Sequence, residues 1–144
     1  MASVRKGGVD ANGQVAERTV SDGGGNPCRS CLHDIPKGAE MLICAGRPFA
    51  ALHPYAETGP IFFCAALCTA YAGADLPPIL MSSPDYLLKA YDKTERIVYG
   101  TGQIIESAQV TTYAKKLLER TDIAFVDVRS ARNNCFQTRI VRRE

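Results

Sequence analysis

At 144 residues, with 46% apolar and 22% charged residues, the chain has the composition of a globular protein and the length of one domain. No stretch approaches the roughly 18 consecutive apolar residues of a membrane span, and residues 1–13 lack the apolar segment of a secretory leader, so the expected compartment is the cytoplasm, with no membrane partner. Lys and Arg total 17 against 15 for Asp and Glu, a balance that does not by itself imply nucleic acid.

Residues 1–14 are polar and Gly-rich without periodicity, which predicts a flexible tail ahead of a single α+β domain over 15–144. Residues 15–20 read as a short edge strand, and Ser21 to Pro27 as a turn. The apolar runs 41–45 and 61–66 read as two strands joined by a long loop through Pro48, His53, Pro54 and Gly59. After Leu76-Pro77-Pro78, strands are expected at 86–91 and 96–105, the second carrying a bulge or close approach at Gly100 and Gly102. Ser107 is placed to cap a helix running to about residue 120. Val110, Tyr113, Ala114, Leu117 and Leu118 recur at i, i+3, i+4, i+7 and i+8, the stripe of a helix with one buried face, and Lys115, Lys116 and Arg120 suit its C-terminal end. Strands at 123–128 and 136–141 follow, separated by the polar turn 129–134. The expected fold class is therefore α+β, a mostly antiparallel sheet with one main amphipathic helix and a zinc-knuckle-like hairpin in the N-terminal half.

That hairpin rests on cysteine spacing. Six cysteines are many for this length, and in a reducing compartment they read as thiols, metal ligands or redox groups and not as a disulfide framework. Cys28 and Cys31 form C-x2-C after a Gly/Pro turn, and Cys64 and Cys68 form C-x3-C at the end of a strand. Two chelating pairs brought together by a hairpin suit structural zinc, with Arg29, Lys37 or Arg47 offsetting the charge that four thiolates leave on it. Cys44 lies mid-strand and is expected to be packed. His33 and His53 both fall in polar loops; His33, two residues past Cys31, is within reach of a metal, but a solvated loop histidine is the plainer reading.

A second cluster is the turn of Arg129, Ser130, Arg132, Asn133 and Asn134 before Cys135. Its guanidiniums, amides and backbone N–H groups suit a phosphate or carboxylate, from a small anionic ligand or a protein partner. The plainer reading makes Asn133-Asn134 a hairpin turn that leads Cys135 and Phe136 into the core.

Asn26-Pro27-Cys28-Arg29, the stretch from Pro54 to Phe62 and the stretch from Arg129 to Phe136 resemble a bacterial family known as domain of unknown function 1203. The likeness runs from about Val15 to the C-terminus, and it implies a fold but no reaction and no catalytic residue. Some relatives carry a histidine at the position of Cys64, an exchange zinc tolerates, while others lack Cys31, which makes the metal an accessory of a subgroup. Cys28-Arg29-Ser30-Cys31 with Ile35-Pro36-Lys37-Gly38 is also similar to the opening of the zinc fingers of poly(ADP-ribose) polymerases. Those close with a His-x2-Cys pair, so their DNA binding does not carry over.

Two functional readings follow. One is a non-enzymatic, zinc-stabilised binding or interaction module with an arginine-rich anion-binding loop. The other is a cysteine-dependent or redox enzyme using Cys135 or the Cys28/Cys31 pair as a thiolate.

Overall fold

The computed structural model describes residues 2–73 and 75–143, which divide into two compact units: unit 1 is Met1–Pro48 with Glu57–Ile79, and unit 2 is Phe49–Ala56 with Leu80–Glu144. The class is α+β, with two antiparallel sheets and one main helix.

Unit 1 holds a three-stranded sheet in the order β1-β2-β3, from β1 (Glu17–Val20), β2 (Glu40–Gly46) and β3 (Gly59–Cys64). The register Met41↔Cys64 through Gly46↔Gly59 sets the end of β3 beside the start of β2. β1 is exposed along its whole length, as an edge strand of four residues tolerates. Beneath the sheet, Cys28, Cys31, Ile35, Met41, Leu42, Cys44 and Phe63 form a buried cluster, so Cys44 is packed as expected.

Ahead of β1, the residues expected as a flexible tail carry defined structure. A short helix α1 (Ala2–Arg5) ends in a Schellman cap, in which the N–H of Gly8 donates to the carbonyl of Ser3 at 2.7 Å and that of Gly7 to Val4 at 3.2 Å. Gly7 sits at φ +87°, and a Cβ on Gly8 would stand 2.6 Å from the Ser3 oxygen, so this helix end requires glycine at both positions. Asp10 then accepts from the N–H groups of Asn12, Gln14 and Ala45, fastening the segment to the end of β2. Gly7 and Gly8 thus act as stop signals for a helix too short to show periodicity.

Unit 2 is a four-stranded sheet in the order β5-β4-β6-β7, from β4 (Asp85–Tyr91), β5 (Gln103–Glu106), β6 (Phe125–Ser130) and β7 (Phe136–Val141), with the helix α2 (Val110–Leu118) packed on β4, β5 and β6. Strand alternation puts Tyr86, Leu88, Ala90, Val126 and Val128 on one face, all buried, and α2 buries Val110, Ala114 and Leu117. On the other face Asp127, wholly buried, accepts two hydrogen bonds from Arg139 at 2.7 and 3.1 Å. The Arg139 guanidinium lies 3.8 Å from the Phe125 ring centroid. Phe49, Tyr91 and Phe125 complete an aromatic cluster there. Burial pushes the Asp127 carboxyl up more strongly than Arg139 pulls it down.

Three sequence expectations need local correction. The strand expected over 96–105 is reduced to β5, because Gly100 at φ +89° and the buried Thr101 form a loop; the Thr101 hydroxyl accepts from the Ala90 N–H and donates to the Val98 carbonyl. Only Ile97 keeps a strand-like bridge, to Tyr91. Ser107 caps nothing with its side chain and instead opens a 3-10 turn, Ser107–Gln109, that leads into α2. Arg129 and Ser130 belong to β6, so the polar turn begins two residues later than the sequence implies.

Candidate metal centre

Two backbone devices aim four sulfurs at one point. The first is the tight loop 26–35, closed by hydrogen bonds from the N–H of Cys28 to His33 O and of Ile35 to Asn26 O, both 2.9 Å, and by a Pro27↔Asp34 bridge. Within it the Leu32 N–H donates back to Cys28 O at 2.9 Å, which demands a left-handed residue just after the second cysteine; Leu32 fills that place at φ +58°. This geometry turns N–H groups onto sulfur, those of Ser30 and Cys31 onto Cys28 and that of His33 onto Cys31. The second device is the end of β3, where Cys64 is fixed by the sheet and the chain doubles back through 65–67 to present Cys68. The Cys64 N–H approaches Cys28 Sγ at 3.4 Å, and the Tyr71 N–H donates to Ser30 O at 2.8 Å, tying one device to the other.

The four Sγ atoms of Cys28, Cys31, Cys64 and Cys68 all lie within 4.8 Å of one another. Cys28 and Cys68 are 3.8 Å apart, Cys31 and Cys64 4.0 Å. Four thiolates held about 2.3 Å from one ion in a tetrahedron stand about 3.8 Å from each other, so the cluster has the dimensions of a four-sulfur metal site. The same spacings are about twice a sulfur–sulfur bond, and all six cysteines are free thiols.

Electrostatics within the cluster point the same way. Burial pushes the Cys28 thiol up, but the N–H groups of Cys31, Cys64 and Ser30 aimed at its sulfur outweigh burial and bring it from 9.0 down to about 7. Burial is the largest influence on Cys31 and Cys64 and raises both, and the neighbouring Cys28 acts in the same direction. Cys28 therefore ionises readily, while Cys31 and Cys64 resist ionisation until a cation shares their charge.

Arg5 meets this charge from outside. Its Nη2 donates to Cys68 Sγ at 3.0 Å and its Nε to Cys64 O at 2.9 Å, which adds a cation from α1 that the cysteine spacing alone does not suggest. The available signal was a basic residue in the last turn before Gly7-Gly8.

Residues 25–142 match the family described as Protein of unknown function (DUF1203). The chain belongs to this family. The match takes in all four clustered cysteines and every strand of the unit 2 sheet, while Arg5 lies outside it. No curated protein and no solved structure matches the chain.

In this DUF1203 chain the second predicted cluster falls in unit 2. Arg129 is buried at 3% exposure, and its Nη1 donates to Asn134 O at 3.0 Å. The Ser130 hydroxyl accepts from the Cys135 N–H at 2.9 Å, and Cys135 is half-buried. Arg132, Asn133 and Asn134 are exposed; Arg132 reaches Asp85 at 3.2 Å, and Asn134 takes φ +56° at the turn. The histidines stand elsewhere. His33 is exposed, and His53, in unit 2, accepts from the Tyr55 N–H at Nδ1 and faces Glu95 at 3.7 Å. Neither Cys28 nor Cys31 sits at the start of a helix, the setting a redox dithiol uses to lower its thiol pKa. Among the described residues no helix is long and apolar enough to cross a membrane.

Proposed function

We propose that this chain is a non-enzymatic binding or interaction module of a reducing compartment, in which Cys28, Cys31, Cys64 and Cys68 hold one zinc ion as a structural pin. The observation that carries the reading is the grouping of four sulfurs within 4.8 Å of one another, a spacing that suits a four-sulfur metal site, with all of them free thiols. Sulfur ligands favour zinc over harder divalent ions, and four protein ligands leave no open position for a substrate or an activated water. The ion would join the loop 26–35 to the end of β3, two pieces of chain far apart in sequence. What such a module offers an anionic ligand or partner is the exposed part of the β6–β7 turn, Arg132, Asn133 and Asn134.

Elemental analysis of protein purified without added zinc should give about one zinc per chain, and Cys31→Ser should remove it. Metal-free wild-type protein that takes up no zinc on titration would sink the proposal.

A further inference from the structure

The metal centre reaches beyond its four ligands to the N-terminal segment. α1 is held on unit 1 from three sides. Val4 packs against the cysteine-containing core, the Schellman cap at Gly7 and Gly8 turns the chain, and Asp10 hooks three backbone N–H groups, one of them on β2. These anchors set the half-buried Arg5 so that one guanidinium touches both halves of the C-x3-C pair, the Cys64 carbonyl and the Cys68 sulfur. A carbonyl accepts a hydrogen bond in any state, whereas a sulfur beside a guanidinium accepts well only as a thiolate. Four thiolates around a divalent ion leave a doubly negative centre, and Arg5 is placed to offset part of it at Cys68, one of the two sulfurs that the loop 26–35 does not supply.

We propose that Arg5 is a positioning residue of the metal centre, orienting the Cys68 sulfur and the Cys64 carbonyl together so that metal binding and docking of the N-terminal segment are one linked equilibrium. The inference rests on the zinc reading above. Linkage is reciprocal: what the docked segment adds to metal affinity, bound metal adds to docking. The coupling uses residues outside the family match, so it distinguishes this chain from any relative that shares only the cysteines.

The test compares wild type, Arg5→Met and Arg5→Lys. Zinc affinity is read by competition with a chromophoric chelator, and the sulfur-to-metal charge-transfer band is read on cobalt-loaded protein. Loss of a hydrogen-bonding partner beside a metal ligand typically weakens affinity about 10- to 100-fold, and that is expected for Arg5→Met. The band should move to lower energy, because a sulfur relieved of its hydrogen bond gives up electron density more easily. Arg5→Lys keeps the charge but not the two-pronged contact, and should fall between the other two. In wild type, the amides of Gly7 and Gly8 should exchange faster once metal is removed. Wild type and Arg5→Met with equal affinity and the same band would overturn the inference and leave the zinc reading standing. Weaker binding with an unmoved band would also overturn it, since Arg5 would then only fasten the segment. Should Arg5→Met fail to fold, a band in Arg5→Lys identical to wild type is the overturning result. Failure of wild type to bind either ion removes the zinc reading itself.

Discussion

Under the sheet of unit 2 lie Leu88, Ala90, Val126 and Val128 on the strands and Val110, Ala114 and Leu117 on α2, an unbroken apolar layer. Under the sheet of unit 1, Ile35, Met41, Leu42 and Phe63 share the space with Cys28, Cys31 and Cys44. Cysteine buries little area for a core residue, and two of these three have their sulfurs committed to the cluster of four. Unit 1 also lacks a helix of more than a turn among its described residues, so no amphipathic stripe closes over its sheet. The difference bears on how each unit is stabilised: unit 2 by area removed from water and, on the zinc reading proposed above, unit 1 by a point cross-link between its loop 26–35 and the end of β3, with α1 docked beside it. Small units with thin cores commonly depend on such a staple.

The largest effect that tests this comparison is metal removal. In zinc-finger peptides structural zinc contributes about 10–16 kcal/mol of apparent binding free energy, most of it expressed as folding. Chelation should therefore abolish amide protection in the loop 26–35 and in β2 and β3, followed by hydrogen exchange, while the amides of β6 remain protected. Loss of protection spread evenly over both sheets would break the comparison.

Next comes Leu117→Asp, which attacks the apolar layer of unit 2. Leu117 is 5% exposed at the middle of the α2 stripe, so the substitution removes buried apolar area and leaves a carboxylate without a partner. Several kcal/mol is expected, from a typical total of about 5 to 15 for a domain. A fall of about 10 °C or more in melting temperature should follow. Melting within a few degrees of wild type would mean that this layer does not carry unit 2.

How much of this was legible in the sequence follows the same division. β7 could be read to the residue because a polar turn bounds it, α2 to within three residues because its stripe has one period and one buried face, and the four cysteines because chelating pairs are local in sequence. What escaped depended on contacts between distant residues or on very short elements. Arg5 reaches the Cys64 carbonyl and the Cys68 sulfur, some sixty positions away, and α1 is too short for any periodicity. The stretch 96–102 has the composition of a strand, but it loops because Thr101 turns its hydroxyl onto the backbone of β4. Arg129 reads as a loop arginine until the register Leu87↔Arg129 shows it inside the sheet, bonded to its own turn.

The smallest expected effect is at Leu32, and it tests whether the loop 26–35 is shaped for the sulfurs or simply packed. Two opposing effects meet at Leu32: its backbone is left-handed at φ +58°, costing roughly 1–2 kcal/mol for a residue with a Cβ, yet its side chain is 8% exposed and contributes roughly 1.5–3 kcal/mol by burial. Leu32→Ala loses the burial and keeps the backbone cost, so it should destabilise by about 2 to 3 kcal/mol. Leu32→Gly loses the same burial but removes the left-handed penalty, leaving a net loss of about 1 kcal/mol. Glycine should then be better than alanine, the reverse of their order inside a helix or strand. Denaturant titration of the two variants, both metal-loaded, measures that sign directly. Glycine equal to or worse than alanine would show that the turn does not need its left-handed residue, and that the N–H groups of Ser30, Cys31 and His33 reach the sulfurs without it.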